Sequence, residues 1–230
     1  PVLVCPNALL NVPRIRQMVS RDNGQSWLDQ GVILEAPANS FQCDTANRYF
    51  AGGYGDFSVI FDPGSGYFYF YFGSYQRDHE EQGIAIARMH YKDRFNPKGN
   101  VWKWYGGVWN QPGIGGHTTT ILIPAVDWHL PNADAFWGPA IHFNTHLRQY
   151  VMLLNHAINC DWWTEGIYIC FNADIGNPLG WTIPERLPIE IISPYQAYPQ
   201  VIGLEANGTD KVAGRVARFF ILGQSLWEID

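Results

Sequence analysis

Apolar and polar residues alternate along Asp56-Phe57-Ser58-Val59-Ile60-Phe61, pause at Pro63-Gly64-Ser65-Gly66, and resume from Tyr67 to Tyr71. A period of two on both sides of a turn rich in Gly and Pro predicts a β-hairpin. The same phrase returns 82 residues downstream, as Gly138-Pro139-Ala140-Ile141-His142-Phe143, a turn near Asn144-Thr145-His146, and an apolar run from Gln149 to Leu154. The second halves repeat as well, with Gly83-Ile84-Ala85-Ile86-Ala87 matched 83 residues later by Gly166-Ile167-Tyr168-Ile169-Cys170. Each second half leads through a polar turn to a predicted strand containing Trp, around Trp102-Lys103-Trp104 and around Trp181. The repeating unit is therefore four strands.

A third front half starts near Tyr198-Pro199-Gln200-Val201-Ile202 and continues, after a longer turn through Gly208 and Lys211, as Ala217 to Leu222. A back half precedes the first whole unit, as Ile15 to Val19 and then Gly31 to Leu34. Repeated four-stranded sheets that bury their faces only against neighbours predict an all-β fold, a β-propeller of four-stranded antiparallel blades. The expected division of a single domain over 1–230 is a back-half blade at 1–36, blades at 56–109 and 136–187, and a front-half blade at 198–230. Closed propellers take about four to eight blades, so the reading places part of the parent protein N-terminal to this chain. Residues 1–10 and 118–124 are further candidates for edge strands.

Aromatic residues make up 15% of the chain against 16% charged ones, a balance that suits strands and also suits sugar binding. The net charge is −6 without any Lys and Arg cluster, which argues against a nucleic-acid partner. No apolar run approaches the ~20 residues of a membrane span. With no initiator Met or signal peptide at its start, the chain reads as mature, trimmed or partial, and its expected location is secreted, periplasmic or at the cell surface. Oligomeric state is left open. Cys5, Cys43, Cys160 and Cys170 have no metal-finger spacing, so no structural zinc and no other cofactor is expected. A Cys160–Cys170 disulfide and a pair of free thiols are both compatible with the spacing. Asn207-Gly208-Thr209 fits a glycosylation sequon.

Ser20-Arg21-Asp22-Asn23-Gly24-Gln25-Ser26-Trp27 fits S-x-D-x-G-x-x-W, the Asp-box of sialidases and other propellers. Its Asp is expected to accept N–H bonds within its own turn, its Gly to take positive φ, and its Trp to pack beneath the hairpin. Asn172-Ala173-Asp174-Ile175-Gly176 before Trp181 looks like a degenerate copy.

Gly55-Asp56-Phe57-Ser58-Val59, Phe136-Trp137-Gly138-Pro139-Ala140-Ile141 and Glu165-Gly166 together resemble the five-bladed propeller glycoside hydrolases around families 43 and 32. The resemblance implies a carbohydrate substrate and three acids from successive blades meeting at a central channel: a base or nucleophile, a tuning Asp and an acid Glu. Asp56 matches the first, and Glu165 looks like the last. The family's tuning Asp falls where this chain has Ala140, and Asp134 is the nearest upstream substitute.

Glycoside cleavage needs two carboxylates flanking the bond, one protonated and one ionised. Asp56, Asp134 and Glu165 are the catalytic candidates, with Trp137, His142, Trp163 and Gln200 as substrate-binding ones. The competing reading makes Asp56 and Asp134 turn residues, Glu165 a solvated loop residue and His142 a hydrogen-bonded core histidine. None of the seven histidines falls in a metal-ligand motif. The leading function is hydrolysis of an oligo- or polysaccharide. A non-catalytic carbohydrate-binding propeller and a structural or assembly module are the alternatives.

Overall fold

The computed structural model describes residues 4–6, 9–191, 193, 195 and 197–229. Strands β1 (Ile15–Val19) and β2 (Leu28–Leu34) form a two-stranded sheet. The second sheet runs in chain order through β3 (Tyr54–Asp62), β4 (Tyr67–Tyr75), β5 (Gln82–His90), β6 (Val101–Tyr105) and β7 (Val108–Pro112), each antiparallel to the next. A third sheet repeats the scheme with β8 (Ala135–Asn144), β9 (Gln149–Ala157), β10 (Thr164–Asn172) and β11 (Glu185–Arg186). The fourth holds β12 (Gln200–Gly203), β14 (Ala217–Ile221) and β15 (Gln224–Ile229), while β13 (Val212–Ala213) crosses over to pair parallel with the free edge of β8.

The sheets stack face to face in chain order, which explains the composition of the central strands. On β4, Tyr69 and Tyr71 enter a core shared with Ile141, Met152 and Leu154 of the third sheet. The alternate residues Phe70 and Phe72 enter a core shared with Ile15, Ile33 and Leu34 of the first. Side chains alternate across a strand, so a strand buried on both faces must be apolar at every position. The run Tyr67-Phe68-Tyr69-Phe70-Tyr71-Phe72 meets that demand. Leu153 and Ile167 repeat the pattern on the far side of the third sheet, against Val201, Ala217 and Phe219. Each such side chain, fully buried, contributes about 1.5–3 kcal/mol.

The all-β expectation holds, but the sheets are not uniformly four-stranded: the second takes β7 as a fifth strand and the third takes β13. No strand forms around Trp181. Pro178, Pro184 and Pro188 remove backbone donors along that stretch, and regular strand pairing is confined to Glu185 and Arg186, with single backbone bonds from Thr182 to Phe171 and from Leu187 to Ile167. Residues 118–124 make one isolated bridge, Leu122 to Ile84. Of the first ten residues, Pro1–Leu3 and Asn7–Ala8 are outside the described residues in part of the expected edge region, so that expectation is left there.

Cys5 and Cys43 form a disulfide across 38 residues, a closure worth about 3–4 kcal/mol in chain entropy. Cys160 and Cys170 are not bonded. The Cys170 side chain points into the core between the second and third sheets, where burial pushes its thiol up to about 12, whereas Cys160 lies in the loop before β10. Among the described residues no helix is long and apolar enough to cross a membrane.

Candidate functional site

Three front strands carry a residue of left-handed backbone at corresponding places. Asp56 on β3 has φ 43°, Gly138 on β8 has φ 59°, and Tyr198 just before β12 has φ 59°. Both β3 and β8 bulge there, between Gly55 and Phe57 and between Trp137 and Ala140. The three residues line one cavity of about 410 Å³ with Phe57, Ser58, Pro139, Ala140, Pro199, Gln200 and Lys211. Asp and Tyr at positive φ each cost on the order of 1 kcal/mol, a strain that persists only where surrounding contacts impose it.

Those contacts converge on the Asp56 carboxylate. The Tyr75 hydroxyl donates to Oδ2, and the Tyr198 hydroxyl donates to Oδ1 at 3.1 Å. Burial, followed by the nearby Asp56 charge, raises both phenols, so they stay protonated as donors. Tyr75 is fully buried among Phe50, Trp128 and Trp162. Asn155, also fully buried, fixes the opposite wall: its amide donates to the Trp137 and Gly138 carbonyls at 3.2 and 3.4 Å, and its Oδ1 accepts from the Tyr198 N–H at 2.9 Å. A Cβ on Gly138 would stand 2.5 Å from that amide nitrogen. The β8 counterpart of Asp56 is therefore held to glycine by both conformation and space.

Lys211 closes the cavity from the β13 side, donating to Ser58 Oγ at 3.2 Å with Asp210 at 3.4 Å. Ser58 Oγ in turn accepts from the Ile141 N–H at 3.2 Å, which ties the second sheet to the third.

Asp134 and Glu165 do not line this cavity; His156 brings them together elsewhere. The His156 ring, on β9, meets Asp134 Oδ1 through Nε2 at 2.8 Å and Glu165 Oε2 through Nδ1 at 3.1 Å. The two carboxylates are thus no farther apart than two hydrogen bonds and an imidazole, about 8 Å at most. Glu165 also accepts from the Tyr168 hydroxyl at 3.1 Å and pairs with Arg186 Nε at 3.0 Å. Phe136 and Tyr168 flank the imidazole with ring centroids 4.8 and 5.1 Å away. The acids meet opposite sides of one ring, and among the described residues no group of three such side chains could hold a metal ion. In the sequence His156 stands out only as one of several histidines outside any metal-ligand spacing. Its place opposite Phe136 and Gly166 follows from strand register, which the repeat suggests only loosely.

The proposed binding residues separate too. Gln200 lines the Asp56 cavity, and Trp137 supports it from behind, edge-on to Tyr198 at 5.3 Å. Trp163 lines neither site and is 45% exposed. His142 does not line the Asp56 cavity; it borders an apolar cleft of about 820 Å³ between the third and fourth sheets. Burial, then the Lys211 charge, lowers its imidazole to about 4, so it is neutral near pH 7.

The Ser20–Trp27 turn is organised around its carboxylate. Asp22 accepts from the Ser26 hydroxyl at 2.5 Å, the Ser26 N–H at 2.9 Å and the Ser20 hydroxyl at 2.8 Å, which holds it near 2. Trp27 departs from the expected packing. It is 58% exposed and folds over its own turn, donating to the Gly24 carbonyl at 3.1 Å rather than lying beneath the hairpin.

No family model matches the chain, and no curated protein matches it. Two crystal structures of exo-beta-1,3-galactanase variants from Phanerochaete chrysosporium with beta-1,3-galactotriose are similar at 12% identity, with TM-scores of 0.30 and 0.31. The match covers 75% of this chain and 43% of theirs, so the chain spans less than half the length of those structures.

Proposed function

We propose that the chain is a carbohydrate-active β-propeller domain that binds a saccharide in the cavity around Asp56. The observation that carries this reading is the oriented carboxylate: Asp56 is held by two phenol donors at a strained backbone position on a cavity wall. A carboxylate accepts hydrogen bonds from sugar hydroxyls, and the exposed rings of Phe57 and Tyr198 offer apolar faces to a pyranose. The Cys5–Cys43 bond suits an oxidising compartment, which supports a secreted, periplasmic or cell-surface location.

A second reading, glycoside hydrolysis with Asp56 as base or nucleophile, draws on the same fixed orientation. Hydrolysis needs a partner acid, and Asp56 is the sole carboxylate among the described residues lining the cavity. Binding is therefore the function favoured here. The test pairs oligosaccharide calorimetry with an aryl glycoside screen on the wild type and Asp56→Asn. The binding reading expects no turnover by either protein and a weakened affinity in the variant. Turnover that Asp56→Asn abolishes while sugar still binds would establish the hydrolase instead.

A further inference from the structure

We propose that the Asp56 cavity selects an anionic saccharide, seating the carboxylate of a uronic acid unit on the Lys211 ammonium. This inference rests on the saccharide reading above and adds the class of sugar.

The two polar walls of the cavity differ in kind. Asp56 can only accept hydrogen bonds, so it takes sugar hydroxyls as donors. Lys211 can only donate, through three N–H groups. One of these is committed to Ser58 Oγ, which also accepts from the Ile141 N–H, so the ammonium is held where the second sheet meets the third. Its neighbouring anion is Asp210 at 3.4 Å, with the two side chains 36% and 47% exposed. An exposed pair of that kind is worth about 0–1 kcal/mol, so a ligand carboxylate held against protein walls competes with Asp210 on favourable terms. A neutral hexose would leave the ammonium with Ser58 and the exposed Asp210 as its partners and add no charge to match it. A uronic acid carries hydroxyls and a carboxylate on different parts of one ring, and it satisfies the acceptor wall and the donor wall together. Gln200, with both donor and acceptor on its amide, borders the same space and can serve either group.

The experiment measures binding of matched pairs that differ only at C6, galactobiose against digalacturonate and cellobiose against its diuronic acid, by calorimetry at pH 7. The uronate member of a pair is expected to bind about tenfold tighter or better. Lys211→Met should erase that preference while the neutral member keeps its affinity, and Lys211→Arg should retain part of it. Thermal melting of each variant checks that the fold survives. Neutral and uronate sugars bound equally by the wild type, or a preference that Lys211→Met leaves intact, would overturn the anionic class alone. Failure of every pair to bind would overturn the saccharide reading with it.

Discussion

Asp56, a lone carboxylate among the described residues lining its cavity, and the Asp134–Glu165 pair are held in opposite ways. Asp56 is held by the neutral hydroxyls of Tyr75 and Tyr198, beside open volume. Asp134 and Glu165 are held by His156, with Arg186 and Tyr168 completing the shell around Glu165. The first arrangement fixes a carboxylate and leaves it facing a cavity that a ligand can enter. The second spends its acids on protein partners across three strands. A carboxylate's availability depends on its partners and on the space before it, and sequence neighbours such as Trp162 and Trp163 beside Glu165 do not supply that information.

Replacing Asp56 with Asn tests the contrast most strongly. Loss of a charged acceptor is expected to weaken saccharide affinity about a hundredfold, read by calorimetry. An unchanged affinity would remove the distinction between the two arrangements.

Acidification acts through His142, which borders the cleft between the third and fourth sheets rather than the Asp56 cavity. Its folded imidazole titrates about 4, below the ordinary 6.5, so between these values the unfolded chain binds the proton that the folded chain refuses. This stabilising contribution is full above pH 6.5, falls as pH drops toward 4, and amounts to about 3 kcal/mol. Urea denaturation across that range should show the loss, and His142→Asn should reduce it, leaving the part due to His129, which burial also lowers.

Gly138→Ala puts a Cβ against the Asn155 amide at a left-handed position. We expect about 2 kcal/mol of destabilisation together with weaker saccharide binding, because Asn155 also holds Tyr198. His156→Gln should cost about 1–2 kcal/mol in denaturant midpoint and leave saccharide affinity unchanged. A drop in affinity there would make the Asp134–Glu165 cluster part of the binding site. Smallest of all, Asp22→Asn should loosen the 20–27 turn, seen as faster amide exchange at Ser26, with no effect on binding.

Much of the fold was legible from the repeat. The turn at 63–66, the alternation on each side and its return at 138–154 placed β3, β4, β8 and β9, because a buried strand must alternate or be apolar throughout. The stretch around Trp181 misled, since an aromatic after a turn suggests a strand while three nearby prolines limit its pairing. Asp56 was legible as a site candidate from its glycine-rich approach and its place at the start of a strand.

The chain's own order of residues thus determined that it would form sheets, where most hairpins turn, and that one acid would sit at the head of a front strand. These are local matters of period, turn chemistry and backbone freedom, acting over a few neighbouring residues. Tertiary structure alone decided which acids meet. Tyr75 and Tyr198 reach Asp56 from 19 and 142 residues away, and Lys211 reaches Ser58 across 153. Such encounters depend on how sheets stack and where strands bulge, which no short window of sequence contains.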